Sequence, residues 1–281
     1  MVFGRNRLDV KTPDQIRRMR RAGLVVGETL ALLRERAKPG MTTAELDRIA
    51  EEYIRGRGAV PSFLGYHGFT GTLCVSVNEE VVHGIPGSRE IREGDLVSID
   101  CGAIVDGWHG DAALSLVAGG REAGSAADLA LIDATEAAMW AGIAALAVGS
   151  PLYAVGAAVE DCVAAAAAAN QATYGIVEDY VGHGIGTEMH QDPQVPNYRV
   201  RDRGPLVRSG LTVAIEPMVT LGTADTDVLG DDWTVITRDG SRAAHWENSV
   251  AVTDQGLWVL TELDGGQQRL EALGAAYAPL D

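Results

Sequence analysis

Cysteine is scarce in this chain of 281 residues, and Cys74, Cys101 and Cys162 lie far apart with no CxxC pair among them. An odd number of dispersed cysteines does not indicate a disulfide framework, so we expect a reducing, cytoplasmic environment. Residues 1–5 lack the apolar core of a signal peptide. No apolar run approaches the roughly 20 residues that cross a bilayer, and we therefore expect no membrane partner.

Basic residues are few as well, since Lys and Arg number 23 against 39 Asp and Glu, which gives a formal net charge of −16. Broad binding to nucleic acid or to anionic membranes needs a basic surface, and this balance argues against both. The hydrophobic content of 46% is ordinary for a globular protein. The acidic residues are therefore the more informative feature.

Four carboxylates adjoin stretches that have the pattern of buried strands. Asp100 ends one apolar run, Asp111 follows a turn before another, Glu216 ends a third, and Glu247 precedes a fourth. An isolated buried carboxylate is costly unless it is neutralised, paired or bound to a metal. Lys and Arg are nearly absent from these runs. Shared cations are thus the better explanation for the set, although Asp100 and Asp111 taken singly fit capping or surface roles equally well.

The spacing of Asp100 and Asp111 predicts that both face the same side of a hairpin. If the chain turns at Asp106-Gly107, residue 102 pairs with 111 and residue 100 with 113. Side chains alternate along a strand, so Asp100 and Asp111 become diagonal neighbours, about 7–8 Å apart at the backbone. Two carboxylates this close repel unless a cation lies between them, and paired metal ions bridged by carboxylates are a known solution.

Capping signals and periodicity predict a chain of helices and strands. Thr12-Pro13 with Gln15 begins a helix, Thr42 with Glu45 begins another, and Ser150-Pro151 is expected to open a later one. The predicted elements are helices at about 12–37, 42–56, 125–147 and 151–169, and strands at 73–78, 96–105 and 112–117, with further strands up to about residue 261. No low-complexity linker divides the chain. We expect one domain over 1–281, with its core at about 11–261 and residues 262–281 as a C-terminal tail.

The sequence also repeats itself. Residues 94–100 (GDLVSID) align with residues 210–216 (GLTVAIE), and a His-Gly-Ile triplet precedes each segment, at 83–85 and at 183–185. Either match alone could arise by chance, but the same order in both halves favours two related halves. Such halves place equivalent acids at a shared interface.

Histidine supplies further candidates, although a lone histidine is more often a structural residue than a ligand. His183 differs because Gly182 and Gly184 flank it, which allows close approach of backbone or ligand. His190 lies seven residues later, which excludes the HExxH spacing of a zincin. His83, beside Gly84, has a turn residue as its alternative interpretation.

Together these fragments resemble the type I methionine aminopeptidases. The resemblance extends from Lys11-Thr12-Pro13 to about Thr261, and the order and spacing of its motifs are specific. The motifs are Val82-His83-Gly84-Ile85-Pro86, Asp100 with Asp111, Gly182-His183-Gly184-Ile185-Gly186, His190, Ile215-Glu216-Pro217-Met218 and Trp246-Glu247. The resemblance implies an α+β pita-bread fold, in which two pseudo-twofold related halves surround a central antiparallel sheet. It also implies removal of N-terminal methionine from nascent proteins whose second residue is small.

The resemblance implies two divalent metal ions, with Co, Mn, Fe and Zn all compatible. The implied ligands are Asp100, Asp111, His183, Glu216 and Glu247, with Asp111 and Glu247 as bridges. Glu216 is further implied as proton carrier, His190 as stabiliser of the oxyanion, and His83 as hydrogen-bond partner of the scissile amide. The implied substrate-binding residues are Phe63, Tyr66, His67, Phe69, Cys74, His83, Met189, His190 and Trp233.

Two other interpretations stay open on the same motifs. An X-Pro dipeptidase or aminopeptidase shares the fold and ligands but usually carries an extra N-terminal domain, whereas the motifs here begin within about a dozen residues. A noncatalytic binding protein of this fold would typically lose ligands, and none of the five is lost. The resemblance further implies a monomer whose partners are nascent polypeptide N-termini, with the ribosome near its exit tunnel as an additional candidate.

The chain also departs from the family pattern. Asn248 stands where bacterial relatives usually carry histidine, His245-Trp246 replaces a more usual Gln-aromatic pair, and Val82 stands where many have cysteine. We expect the first two changes to alter the surroundings of the ligands and the metal preference, and to leave the reaction class unchanged.

Overall fold

The computed structural model describes residues 8–280, and its elements are those of an α+β protein. The helices are α1 (Pro13–Arg36), α2 (Thr43–Gly56), α3 (Ala126–Ala144), α4 (Ala154–Asn170) and α5 (Gln267–Ala272), with 3₁₀ turns at Tyr66–Gly68 and Arg121–Ala123. The strands are β1 (Val60–Pro61), β2 (Leu73–Val77), β3 (Glu80–Val82), β4 (Leu96–Val105), β5 (Trp108–Val117), β6 (Gly175–Ile176), β7 (Gly182–Gly184), β8 (Gln191–Val195), β9 (Thr212–Ile215), β10 (Met218–Thr220), β11 (Thr226–Val228), β12 (Val235–Thr237), β13 (Ala243–His245), β14 (Glu247–Val252) and β15 (Leu257–Val259).

The predicted helix starts are confirmed at the first two helices. Thr12 accepts a hydrogen bond from the backbone N–H of Gln15, whose side chain accepts one from Thr12 N–H in return. Thr42 and Glu45 form the same capping box on α2. Such caps satisfy amide groups that the first helical turn leaves without partners.

The predicted start of the fourth helix is wrong by a few residues. α4 begins at Ala154 rather than at Pro151. Ser150 donates its hydroxyl to the carbonyl of Ala147, and Pro151 forms an isolated bridge with Leu206. The Ser-Pro pair therefore builds a turn between α3 and α4. Within residues 8–280, none of the helices has the length and apolar character needed to cross a membrane.

The central sheet has nine strands, and its named strand pairs are all antiparallel. Its order is β1-β4-β5-β14-β9-β7-β8, with β2 also on the edge of β4 and β15 also on β14. The repeated segments lie on β4 and β9, which are symmetrically placed about the central β5–β14 pair. The predicted duplication is thus visible as an approximate twofold arrangement of strands.

Helices cover one face of this sheet, and α1 packs closely against it at a glycine. A Cβ on Gly110 would lie 2.6 Å from the backbone nitrogen of Gly23 on α1, so a side chain there would push the helix away. α1 brings fully buried side chains such as Val26 and Leu33 into the core beneath β4 and β5. The strand that carries Asp111 is therefore supported directly by helix backbone.

Candidate metal centre and active site

Three of the four carboxylates lie on one face of the central sheet because of its register. Ala113 of β5 pairs with Asp100 of β4 on one side and with Glu247 of β14 on the other. Asp111 lies two residues before Ala113 and so points to the same face. Gly102 pairs with Asp111, which confirms the predicted hairpin and the diagonal placement of Asp100 and Asp111.

The fourth carboxylate and a histidine come from the other half of the sheet. Glu216 directly follows β9, and His183 is the middle residue of β7, which pairs with β9. Nε2 of His183 lies 3.4 Å from Oε1 of Glu216. A Cβ on Gly182 would lie 2.4 Å from the carbonyl oxygen of Ala214, so glycine is needed for β7 to pack this closely against β9. The glycine beside His183 therefore positions this histidine.

The side chains form two overlapping groups of ligand atoms. One ligand atom each from Asp111, His183 and Glu247 lie within 4.8 Å of one another, and the same holds for Glu216, His245 and Glu247. Glu247 belongs to both groups. Four of the five residues predicted as ligands are thus brought together, and His245 joins them.

Asp100 lies on the same face of the sheet but belongs to neither three-residue group among the described residues. Within residues 8–280, no hydrogen-bond partner is found for Oδ1 of Asp100, Oδ1 of Asp111 or Oε1 of Glu247. Unpaired buried carboxylate oxygens are costly, and a cation would compensate for that cost. Oxygen and imidazole donors together suit Mn(II), Fe(II), Co(II) and Zn(II). The donor set therefore fits divalent metal ions.

The hydrogen bonding of His183 fixes the ring in the form that a metal ligand requires. Its Nδ1 lies 3.0 Å from the carbonyl oxygen of Gly184, and a carbonyl only accepts, so Nδ1 carries the proton. Burial lowers the pKa of His183 to about 3, and the ring is neutral at pH 7. Nε2 thus presents a lone pair toward the carboxylates.

Burial raises the pKa of all four carboxyl groups. The pKa of Asp100 rises to about 7 through loss of solvation. The pKa values of Asp111, Glu216 and Glu247 lie well above the ordinary range, through burial first and then through repulsion from neighbouring carboxylates. Without metal, the cluster therefore retains protons near neutral pH, and a cation that binds must displace them.

An apolar cavity of about 420 Å³ opens above the carboxylates. All of the residues predicted for the metal site and for substrate binding line this cavity. Its apolar wall is one cluster made of Phe63, Phe69, Cys74 and Met189, against which Tyr66, Ile85 and Trp233 pack. The volume and lining are those of a pocket for a small apolar group with polar atoms at one end.

Two of the predicted histidines line the cavity beside its aromatic residues. Nδ1 of His190 is hydrogen-bonded to the Tyr66 hydroxyl at 2.8 Å. The ring centroid of His190 lies 4.3 Å from that of His183. His83 has a positive φ of 61°, which is uncommon outside glycine and is often found at functional positions. Burial lowers the pKa of His83 to about 4, so it is neutral at pH 7.

His67 lines the same cavity but is exposed and lies in the 3₁₀ turn Tyr66–Gly68. Its ring contacts the ring of Tyr66 edge to face, with 4.3 Å between centroids. The resemblance implied His67 as a substrate-binding residue, and the structure places it at the exposed rim of the cavity.

Sequence reasoning missed several residues at the site. The further lining residues are Val82, Asp179, Tyr180, Val181, Gln194 and Met218. Tyr180 contacts the ring of His83 edge to face at 5.3 Å between centroids. Its proximity to the Gly182-His183 motif was an available signal. The sequence pattern marks His245 only as a departure from the family, although its position two residues before Glu247 is a signal that it lies near the same ligands.

Asn248, the other departure, faces away from the carboxylates. Its side-chain amide donates to Oε1 of Glu262 at 3.2 Å, and its oxygen accepts from the Thr261 hydroxyl. Adjacent side chains on a strand point to opposite faces of the sheet, so Glu247 faces the carboxylate cluster and Asn248 faces the other side. Asn248 therefore lies on the helix-covered side of the sheet, where its hydrogen bonds are with Glu262 and Thr261.

Residues 17–254 of this chain match a family model that is described as "Metallopeptidase family M24". Methionine aminopeptidase 1 of Mycobacterium tuberculosis is 51% identical over 259 residues, which cover 92% of this chain and 96% of that protein. The crystal structure of a methionine aminopeptidase from Thermotoga maritima is similar with a TM-score of 0.85 and 37% identity, covering 91% of this chain and 99% of that one.

A prolidase from Pyrococcus horikoshii is similar in fold alone, with a TM-score of 0.70 and 19% identity. The match covers 90% of this chain and 63% of the prolidase. The fold of this chain is accordingly that of the pita-bread proteins, as the sequence motifs implied, and the closer similarity is to the shorter aminopeptidases.

Proposed function

Because this chain belongs to metallopeptidase family M24, and within it to the methionine aminopeptidases, we propose that it removes the N-terminal methionine from newly made proteins whose second residue is small. One observation carries the proposal: carboxylates and His183 with the character of metal ligands lie at the floor of an apolar cavity lined by Phe63, Phe69 and Met189. An unbranched thioether side chain suits such a lining. We place this activity in the cytoplasm, with nascent polypeptides as substrates.

We propose that two divalent metal ions are the cofactors. Asp100, Asp111, His183, Glu216 and Glu247 would hold them, and Glu247 is the residue shared by both groups of ligand atoms. When bound, such ions lower the pKa of a coordinated water and polarise a carbonyl group. The protonated state of the buried acids, described above, makes the uptake of these ions dependent on pH.

Glu216 is the proposed proton carrier. Its side chain is 12% exposed, so it is open to the cavity on one side and held among neighbouring ligands on the other. Burial and the charge of Asp100 raise its pKa well above the ordinary value, and a carboxylate with a raised pKa holds the proton that it has taken up. Glu216 would take a proton from the attacking water and deliver it to the leaving amine.

His83 and His190 are proposed to hold the scissile peptide group. Both line the cavity, where His83 contacts the ring of Trp233 and His190 contacts the rings of Tyr66 and His183. If the Tyr66 hydroxyl donates to Nδ1 of His190, Nε2 carries the proton and can donate to the oxygen that becomes negative in the transition state. His83, neutral and held in a strained conformation, would position the amide of the same peptide group.

Peptide hydrolysis tests the proposed function. The metal-loaded protein should release free methionine from Met-Ala-Ser, and should release far less from a peptide with a bulky second residue such as Met-Phe-Ser. Cleavage of X-Pro peptides without release of methionine from Met-Ala-Ser would instead assign the chain an X-Pro specificity.

Asp100→Asn is expected to weaken the binding of one metal ion selectively, because the family resemblance implies that Asp100 completes the ligand shell of one ion, whereas His183 and Glu216 complete that of the other. Calorimetric titration with Mn(II) should show one affinity reduced and the other retained. Asp128→Asn is a matched control, since Asp128 is also buried but pairs with Arg242 away from the cavity. Two unchanged affinities in Asp100→Asn would contradict the assignment.

A further inference from the structure

We propose that His245 is an additional metal ligand, which supplies an imidazole nitrogen to the ion held by Glu216 and Glu247. This inference rests on the proposed function to the extent that it assumes a metal centre at this site. It concerns a residue outside the set that the sequence motifs implied, and it changes the expected composition of the centre from one imidazole to two.

The position of His245 is fixed by its backbone. It ends β13, which pairs with β10 so that His245 lies opposite Met218, a residue that lines the cavity. Its backbone N–H donates to Oγ of Ser115 at 2.9 Å, and the Ser115 hydroxyl lies 2.9 Å from its carbonyl oxygen. Oγ of Ser98 lies a further 2.8 Å from Oγ of Ser115. A pair of buried hydroxyls on β4 and β5 thus holds this residue at the edge of the metal centre.

The side chain of His245 is buried, and its Nε2 lacks a hydrogen-bond partner among the described residues. The residue is 1% exposed, and within residues 8–280 its Nε2 has no hydrogen-bond partner. Nε2 lies 3.9 Å from Oε2 of Glu216, which is beyond hydrogen-bond reach. A buried polar atom without a partner is costly, so its orientation toward two carboxylates requires an explanation.

A shared cation provides that explanation. Nitrogen and oxygen ligands at about 2.0–2.2 Å from one ion lie about 3–4 Å from each other. The separation of Nε2 of His245 from Glu216 is of this size, and one atom of Glu247 completes the group within 4.8 Å. The geometry is thus that of three ligands around one position.

A second imidazole would shift the metal preference of the centre. Carboxylate oxygens alone suit Mn(II), whereas nitrogen donors favour ions later in the first-row series, such as Co(II) and Zn(II). A neutral ring also adds a ligand without adding charge to a site that already contains several acids. We therefore expect His245 to increase affinity for Zn(II) more than affinity for Mn(II).

Histidine-selective ¹⁵N NMR of the full-length protein, titrated with Zn(II), tests the proposal directly. Two imidazole side chains should acquire the nitrogen shift of a zinc ligand, and His245→Gln should lose one of them while the other remains. The Zn(II) affinity of this variant should fall at least about tenfold, with a smaller change for Mn(II). His109→Gln is the matched control: His109 is also buried, but it is hydrogen-bonded to Ser62, so its loss should leave both zinc-bound rings in place.

A single zinc-bound ring in the wild-type protein would overturn the proposal, and this result needs no variant that might fail to fold. Hydrolysis of Met-Ala-Ser is measured separately. Two zinc-bound rings without release of methionine would support the ligand and reject the proposed function. Release of methionine together with a single zinc-bound ring would support the proposed function and reject His245 as a ligand.

Discussion

Glu216→Gln should lower the turnover of Met-Ala-Ser by at least about a hundredfold, the scale of a general acid–base contribution. The amide retains an oxygen that can contact a metal ion, but it cannot take up a proton. The surrounding distances, 3.4 Å to Nε2 of His183 and 3.9 Å to Nε2 of His245, leave room for an amide of the same size. The measurement is kcat with saturating metal, accompanied by metal analysis of the purified variant.

Glu80→Gln is the control for this experiment. The Glu80 side chain is 14% exposed, close to the 12% of Glu216, but it is hydrogen-bonded to the Val77 backbone and to Arg89, outside the cavity. Its loss should leave kcat nearly unchanged even if the protein becomes less stable. A Glu216→Gln variant with full metal content and near-wild-type kcat would remove Glu216 as the proton carrier.

In the metal-free protein, Asp100→Asn should stabilise the fold at neutral pH, although the same change weakens metal binding. Burial raises the pKa of Asp100 from 3.8 to about 7. The folded state therefore binds a proton more tightly than the unfolded state does, so the stability that this group contributes is full below pH 4 and is lost as the pH rises toward 7. A shift of this size corresponds to roughly 4 kcal/mol in the free energy of unfolding.

Asparagine is always neutral and has nearly the same shape as protonated aspartate, so the variant avoids this loss. Denaturant unfolding of both metal-free proteins should give similar stabilities at pH 4 and a growing advantage for Asp100→Asn up to pH 7. Buried histidines with lowered pKa, such as His183 and His245, contribute a pH dependence of the opposite sign. Their contribution is common to both proteins and cancels in the difference. A metal-free variant that is less stable than wild type at pH 7 would contradict this account.

The sequence predicted the parts of the fold that depend on local rules. The capping boxes at Thr12 and Thr42 need only residues three apart, and both are present. The hairpin register of Asp100 and Asp111 follows from one turn and the alternation of side chains, and it is confirmed. The predicted start of α4 was wrong because a Ser-Pro pair is as common in a turn as at the start of a helix. The bridge between Pro151 and Leu206, which is distant in sequence, holds this pair in a turn.

The convergence of the candidate site depended on information that no local pattern contains. Alternation along β14 puts Glu247 on one face, but its pairing with Ala113 of β5 is a contact between distant parts of the chain. The family resemblance supplied that arrangement for the residues in its motifs. Tyr180 and His245 lie outside those motifs, so the resemblance did not include them. The position of Tyr180 follows from the loop before β7, and that of His245 follows from the pairing of β10 and β13.

The join between the two halves of the sheet is narrow. β5 and β14 pair directly at only Glu247–Ala113 and Asn248–Ala112, after which the Ser249 hydroxyl substitutes for a backbone group by bonding both the N–H and the carbonyl of Asp111. Asp111 is on β5 and Glu247 is on β14, so an ion bound by both side chains would link the two strands across this seam between the halves. Loading with metal would then resist the separation of the halves as well as equip them for chemistry, and the amides along the seam would exchange their hydrogens more slowly in the loaded protein than in the bare one.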